Sequence, residues 1–120
     1  MTTLQTRLAQ ADKPSRELLG EVYQAVNGGR LFLDPGSGGF QQSYARFLRY
    51  QHMLDAEAWT SAVEMLVPEG YGFSVHSPCQ VIPDNLPSVR IWGALQHTIE
   101  AEASTPALAL AIACLKARGL

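Results

Sequence analysis

The sequence contains few of the residues from which disulfide scaffolds and membrane segments are built. Only two of its 120 residues are cysteines, Cys79 and Cys114, which lie far apart and are too few for a disulfide framework. The longest run without a polar residue, 107–115, is far shorter than the ~20 residues that a membrane span requires. Residues 1–7 lack the apolar segment of a signal peptide. We therefore expect a cytoplasmic protein without a membrane segment.

Charge of either sign is also scarce. Charged residues make up 17% of the chain, and the net charge is −2, so the basic footprint of a typical nucleic-acid-binding protein is absent. Hydrophobic residues make up 47%, which excludes a chain too polar to fold. A chain of this length is large enough to bury a core. The composition predicts a single globular domain that spans residues 1–120.

The C-terminal end predicts a buried helix with its own start and stop signals. Thr105 or Ser104 can cap the first free N–H groups, and Pro106 suits the first helical position. Gly119 suits the position just beyond the last turn. Between these ends, residues 107–115 are apolar on every side of the helix. Such a helix must be buried on most sides, so the rest of the chain is expected to surround it.

Apolar spacing predicts four further helical segments upstream. Residues 3–11 and 15–26 form two amphipathic helices, and residues 40–51 have aromatic side chains at helical spacing. The spacing of apolar residues over 54–66 predicts a third major helix. The short apolar run 31–33 is either an edge strand or a plug on the core.

The periodicity changes from helical to alternating after residue 70. Apolar and polar residues alternate over 71–76, 89–93 and 97–102, which predicts three strands. The few residues around 93–95 permit a hairpin between the second and third strands. We therefore predict an α+β fold, an α/β sandwich in which a small, mainly antiparallel three-stranded sheet packs with helices and the C-terminal helix is buried.

Several short motifs resemble a group of small bacteriophage and prophage proteins. These motifs are LQTRL at 4–8, REL at 16–18, LDA at 54–56, LVPEGY at 66–71 and TPALALAIA at 105–113. They are similar to phage proteins described as having an "ABA sandwich" domain. The segment from Phe40 to Tyr50 is longer and more aromatic than that pattern. The resemblance implies a phage origin, an α/β sandwich and a bacterial cytoplasmic location, and it transfers no catalytic residue.

Histidine and cysteine are the first candidates for chemistry. His76 and Cys79 have the two-residue gap used at zinc sites, but His52, His97 and Cys114 do not repeat that pairing. We therefore predict no metal site and no cofactor. A hydrolase-like nucleophile could combine Cys79 with His52, His76 or His97, although it would need hydrogen-bond contact and a lowered thiol pKa. We expect Cys79 to be an ordinary loop residue.

Two further patterns are interpreted as structural. The glycine-rich segment 34–39 lacks the lysine and the glycine spacing of a phosphate-binding loop, so we predict a turn or a flexible loop. Asp55, Glu57, Glu64 and Glu69 cluster around the predicted helix 54–66. We interpret them as helix-dipole partners and surface charges rather than as an acid–base pair.

Segment 44–52 interleaves aromatic and basic side chains, which is the composition of a stacking platform for single-stranded nucleic acid. The side chains concerned are Tyr44, Arg46, Phe47, Arg49, Tyr50 and His52. The alternative is an amphipathic helix with its rings in the core and its arginines in solvent, which we favour because the chain as a whole is acidic. We thus expect a non-enzymatic phage accessory or protein-interaction domain with a protein partner. A homo-oligomer is compatible with the sequence, and the nucleic-acid and Cys79 hydrolase readings remain the alternatives.

Overall fold

A computed structural model describes residues 3–68, 70–76, 87–93 and 98–120, with the side chain of His76 excluded. Within these residues the chain forms five helices and three strands, and the α+β fold predicted from the sequence is confirmed. In chain order the elements are α1 Leu4–Gln10, α2 Arg16–Val26, α3 Phe40–Asp55, α4 Trp59–Glu64, β1 Gly72–His76, β2 Ser88–Trp92, β3 Ile99–Glu102 and α5 Pro106–Ala117.

The three strands form an antiparallel sheet in the order β1-β2-β3. Ile91 pairs with Ile99, and Val89 pairs with Ala101, so these residues lie on one face of the sheet. Val89, Ile91 and Ala101 are buried, whereas the intervening Arg90 is exposed. The alternation seen in the sequence therefore marks one face of the sheet that packs on the core and one that meets solvent. The turn predicted around residues 93–95 falls largely outside the described residues, which omit 94–97.

Helix α5 is buried as the sequence predicted. Thr105 Oγ1 accepts a hydrogen bond from the N–H of Leu108, and Pro106 occupies the first helical position. Every residue of 107–115 is buried. The helix contacts β2 and β3 as well as α1, α2 and α4, so it forms the layer between the sheet and the other helices. Lys116 Nζ donates to the carbonyl oxygen of Glu100, which links α5 to β3.

Helices α1 and α2 each begin at a side-chain cap. The Thr3 side chain accepts from the N–H of Thr6, and the Ser15 side chain accepts from the N–H of Leu18. Each cap satisfies a backbone donor that has no partner within its helix.

The predicted helix over 54–66 is wrong. Helix α3 continues to Asp55, and α4 is a separate short helix, Trp59–Glu64. The chain reverses between them at Glu57, whose φ of 58° lies in the left-handed region. The N–H of Ala58 bonds to the carbonyl oxygen of Met53, and the N–H of Glu57 bonds to that of Leu54. These two bonds form a Schellman motif, which ends α3 although no glycine is present.

The apolar run 31–33 is not a strand. Leu31 and Leu33 are exposed, while Phe32 packs its ring against side chains of α3. The run is therefore not an edge strand, and it is not part of the buried core that the alternative plug would have covered; instead Phe32 covers α3.

Candidate interaction surface

Helix α3 reaches the core with its C-terminal half. Its two fully buried side chains, Tyr50 and Leu54, both lie in that half, and the helix packs against α2 and α4. The hydroxyl of Tyr50 donates to the carbonyl oxygen of Leu19 at 2.7 Å. Burial strongly raises the pKa of Tyr50, so this hydroxyl remains a neutral donor. In the N-terminal half of α3, Phe40 and Tyr44 contact Phe32 of the preceding loop.

Four rings pack together on that N-terminal half. Phe32, from the loop, contacts Tyr44 edge-on with centroids 5.1 Å apart, and it meets Phe40 at 5.9 Å and Phe47 at 5.5 Å. Phe40 and Tyr44 stack at 5.5 Å. These distances lie within the favourable range for aromatic pairs. We call Phe32, Phe40, Tyr44 and Phe47 the aromatic cluster, and Tyr23 links it to the core through Phe47 at 6.0 Å.

Ser43 fixes the loop to the helix. Its hydroxyl accepts from the N–H of Leu33 at 3.0 Å and donates to the carbonyl oxygen of Phe40 at 2.9 Å. Within the glycine-rich segment, the N–H of Ser37 bonds to the carbonyl oxygen of Asp34 at 2.9 Å, which closes a turn. The segment 34–39 is therefore a turn that returns the chain to α3.

Large hydrophobic side chains are exposed around the aromatic cluster. Leu31 is 36% exposed, Leu33 43%, Tyr44 38% and Leu48 40%. In the part of the chain that the structure describes, these are four of the seven exposed large hydrophobic residues. We call these four residues the apolar rim. Exposed apolar side chains that are concentrated in this way mark interaction sites, whereas isolated ones need no explanation.

A cleft of about 440 Å³ opens beside Leu31 and Leu33 of the apolar rim. Leu31, Phe32 and Leu33 form one wall, and α3 and the end of α2 form the rest. Two arginines, Arg30 and Arg46, line it, and no carboxylate occurs among its described lining residues.

Arg46 is held beside the floor of the cleft. Its guanidinium donates to the carbonyl oxygen of Met65 at 2.6 Å. Burial raises the pKa of Tyr23 at the floor, and the nearby Arg46 charge and the side chain of Asn27 act in the opposite direction. Arg46 thus lines the cleft while its guanidinium is restrained by a carbonyl outside the cleft lining.

The rings and arginines of segment 44–52 do not share one exposed face. Tyr50 is fully buried, and the rings of Tyr44 and Phe47 pack within the aromatic cluster. Arg46 and Arg49 lie on the side of α3 that faces Met65, where they line a separate shallow depression. His52 is exposed. A stacking platform needs free ring faces along a basic groove, and these contacts do not provide one.

The cysteine and histidine candidates are only partly described. Cys79 and His97 lie outside the described residues, as does the side chain of His76. Cys114 is fully buried, and burial raises the pKa of its thiol to about 12, so it is not a reactive thiolate. Across the described ranges, no three His, Cys, Asp or Glu side chains lie close enough together to hold a metal ion.

Of the four carboxylates around the predicted helix 54–66, Asp55 forms an ion pair with Arg16 at 2.7 Å. Glu57 occupies the left-handed turn position, and Glu64 is exposed in the last turn of α4. Glu69 lies outside the described residues. The described contacts thus bring no pair of these carboxylates together.

Comparison with models of known protein families, with curated proteins and with solved structures finds no match. No helix within the described residues is long and apolar enough to cross a membrane. The surface must therefore be interpreted from its own geometry.

The sequence did not reveal the cleft. It marked Tyr44 and Phe47 as one face of a helix and 31–33 as an apolar run, but it gave no sign that these would meet. No sequence pattern indicated that Arg30 would line a cleft, because it follows the end of α2 in a loop whose path depends on tertiary contacts. An apolar tripeptide next to a glycine-rich turn was the signal that could have indicated a covering loop.

Proposed function

We propose that this protein is a phage-derived accessory domain without catalytic activity, which binds another protein through the apolar rim and the adjacent cleft. The observation that carries the proposal is the exposure of Leu31 and Leu33 in the loop and of Tyr44 and Leu48 within residues 40–48 of α3. The resemblance of the sequence motifs to phage proteins supports the origin.

The composition of the surface supports a protein as the partner. Protein interfaces are enriched in aromatic residues and arginine and depleted in lysine, and their energetically important residues are often tyrosine and arginine. The apolar rim contains Tyr44, and Arg30 and Arg46 line the cleft beside it. The rim has no lysine.

The test is capture of partners from bacterial lysate after nuclease treatment, with the wild type and with the Leu33→Ser/Leu48→Ser double variant. Both leucines are exposed, so their replacement should leave the fold intact. Leu120→Ser is the matched control, because Leu120 is 51% exposed and belongs to the C-terminus rather than to the rim.

The proposal expects a protein that the wild type and Leu120→Ser both retain and the double variant loses. Retention of the same proteins by all three forms would contradict it. Loss of all retained material on nuclease treatment would instead favour the nucleic-acid alternative.

A further inference from the structure

The size of the cleft limits what can enter it. Its volume of about 440 Å³ lies within the range of typical small-molecule pockets. A folded domain cannot enter such a space, whereas one or two side chains of a peptide segment can. Leu31, Phe32 and Leu33 offer apolar surface to them.

The charge of the cleft selects the type of segment. Residues 30–54 contain three arginines and one aspartate, a formal charge of +2, which leaves −4 for the rest of a chain whose total is −2. Asp34 lies 3.7 Å from Arg30, but both side chains are more than half exposed, so solvent screens this pair. An incoming carboxylate can therefore compete for Arg30, and it meets no acidic side chain among the described residues of the cleft.

We infer that the cleft binds an acidic, apolar peptide segment, with a bulky apolar side chain against the wall formed by Leu31, Phe32 and Leu33 and flanking carboxylates on Arg30 and Arg46. The inference rests on the proposed function, because it names the chemistry of the partner at that same surface. Arginine is suited to this role, since its planar guanidinium binds carboxylates in a bidentate manner. The Met65 carbonyl bond holds Arg46 in position beforehand, which reduces the entropy lost on binding.

Nucleic acid fits these contacts less well. The ring faces of Phe40 and Tyr44 stack on each other, and Phe32 covers the edge of Tyr44, so these faces are occupied before a base arrives. The walls of the cleft are aliphatic as well as aromatic, and aliphatic walls favour an apolar side chain over a base.

The experiment is a fluorescence-anisotropy titration of the full chain with a labelled twelve-residue peptide of Glu, Asp, Leu and Phe. Two comparison peptides replace every acid by its amide or every Leu and Phe by serine. We expect saturable binding of the parent peptide that weakens with added salt, and at least about fivefold weaker binding of each comparison peptide. An exposed arginine elsewhere, Arg90 on β2, supplies the control variant Arg90→Gln.

Arg46→Gln and Arg30→Gln should each weaken binding about fivefold or more, and Arg90→Gln should not change it.

Gly39→Ala tests the apolar wall independently of charge. A Cβ at Gly39 would lie 2.9 Å from Leu33 Cδ1 and must displace that side chain, whereas a Cβ at Gly38 meets nothing within 4 Å. We therefore expect Gly39→Ala to weaken binding and Gly38→Ala to leave it unchanged. Circular dichroism of every variant should match the wild type.

Two results would overturn the inference. One is that the amide peptide binds as tightly as the parent peptide, and the other is that Arg90→Gln weakens binding as much as Arg30→Gln and Arg46→Gln do. Tighter binding of a labelled single-stranded oligonucleotide with the same variant pattern would replace it with the nucleic-acid reading. Self-association that Leu33→Ser/Leu48→Ser abolishes, without peptide binding, would identify a second copy of the chain as the occupant and also overturn it. If the peptide does not bind but the Leu33→Ser/Leu48→Ser variant still loses the protein captured from lysate, the proposed function stands. Only the inferred chemistry of the partner is then wrong.

Discussion

Replacement of Leu108 by alanine tests whether α5 is the centre of the fold. Leu108 is fully buried in a helix that contacts both the sheet and three other helices, so its neighbours cannot easily collapse into the space. The three carbons removed account for about 2.4 kcal/mol at roughly 0.8 kcal/mol each. A residual cavity of roughly 50 Å³ adds about 1.2 kcal/mol at ~24 cal/mol per Å³. We expect the free energy of unfolding to fall by about 3.5 kcal/mol, and by 2–5 kcal/mol for Ile112→Ala on the same grounds.

The assay is urea unfolding followed by far-UV circular dichroism and by tryptophan fluorescence, since Trp59 packs against the core. Leu120→Ala is the matched control, because it removes the same atoms from a side chain that is 51% exposed. Its effect should stay within about 0.5 kcal/mol. A loss below about 1 kcal/mol for both Leu108→Ala and Ile112→Ala would refute the reasoning, since it would make α5 peripheral.

Four further predictions use the same measurements or simple binding assays. Glu57→Gly should raise the free energy of unfolding by up to about 1 kcal/mol, because glycine adopts the left-handed conformation at φ 58° without strain; no gain in urea melts would contradict this. Tyr50→Phe should lower it by about 0.5–1.5 kcal/mol through loss of the hydrogen bond to a buried carbonyl, and a neutral result in the same melts would show that the bond is unimportant. Because burial raises the pKa of Cys114 from 9.0 to about 12, the unfolded state loses its thiol proton first, and stability should fall as the pH rises from 9 towards 12; Cys114→Ala should lack this part of the pH dependence in melts at each pH. Single-stranded DNA should bind no tighter than ~100 μM at physiological salt in anisotropy titrations, and Arg46→Ala with Arg49→Ala should change this little; micromolar, salt-sensitive binding that the double variant loses would support the stacking platform instead.

Helix ends show where the sequence sufficed and where it did not. Gly28 and Gly119, with φ of 70° and 72°, end α2 and α5 through Schellman hydrogen bonds. A glycine at this position is a sequence signal for the end of a helix. Helix α3 ends through the same hydrogen-bond pattern, but a glutamate occupies the left-handed position. Without glycine, the apolar spacing across residues 54–66 resembled one continuous helix. Leu54 belongs instead to the buried face that α3 shares with Tyr50.

The candidate surface was predictable only in part for a related reason. The 3.6-residue period predicts which aromatic side chains of α3 share a face, but it does not reveal what covers each part of that face. Tyr50 and Tyr44 stand six residues apart on neighbouring sides of the helix, yet one is fully buried by α2 and the other is 38% exposed beside a loop. The composition of segment 44–52 is compatible both with a stacking platform and with an amphipathic helix whose rings lie in the core. Only the tertiary position of Leu19 and Phe32 separates a core tyrosine from a surface tyrosine.

The two halves of α3 therefore differ in what stabilises them. The C-terminal half is fixed by the core through Tyr50 and Leu54, whereas the loop that covers the N-terminal half is held by Phe32 and by the hydrogen bonds of Ser43. The contacts of that loop lie within a short stretch of chain and near solvent, so opening the loop should cost less free energy than unfolding the core. A partner that binds the cleft would stabilise the packed arrangement of this loop, and more so the tighter it binds. Binding at this surface thus acts first on the part of the molecule that the core holds least firmly, and it can do so without any change in the packing around α5.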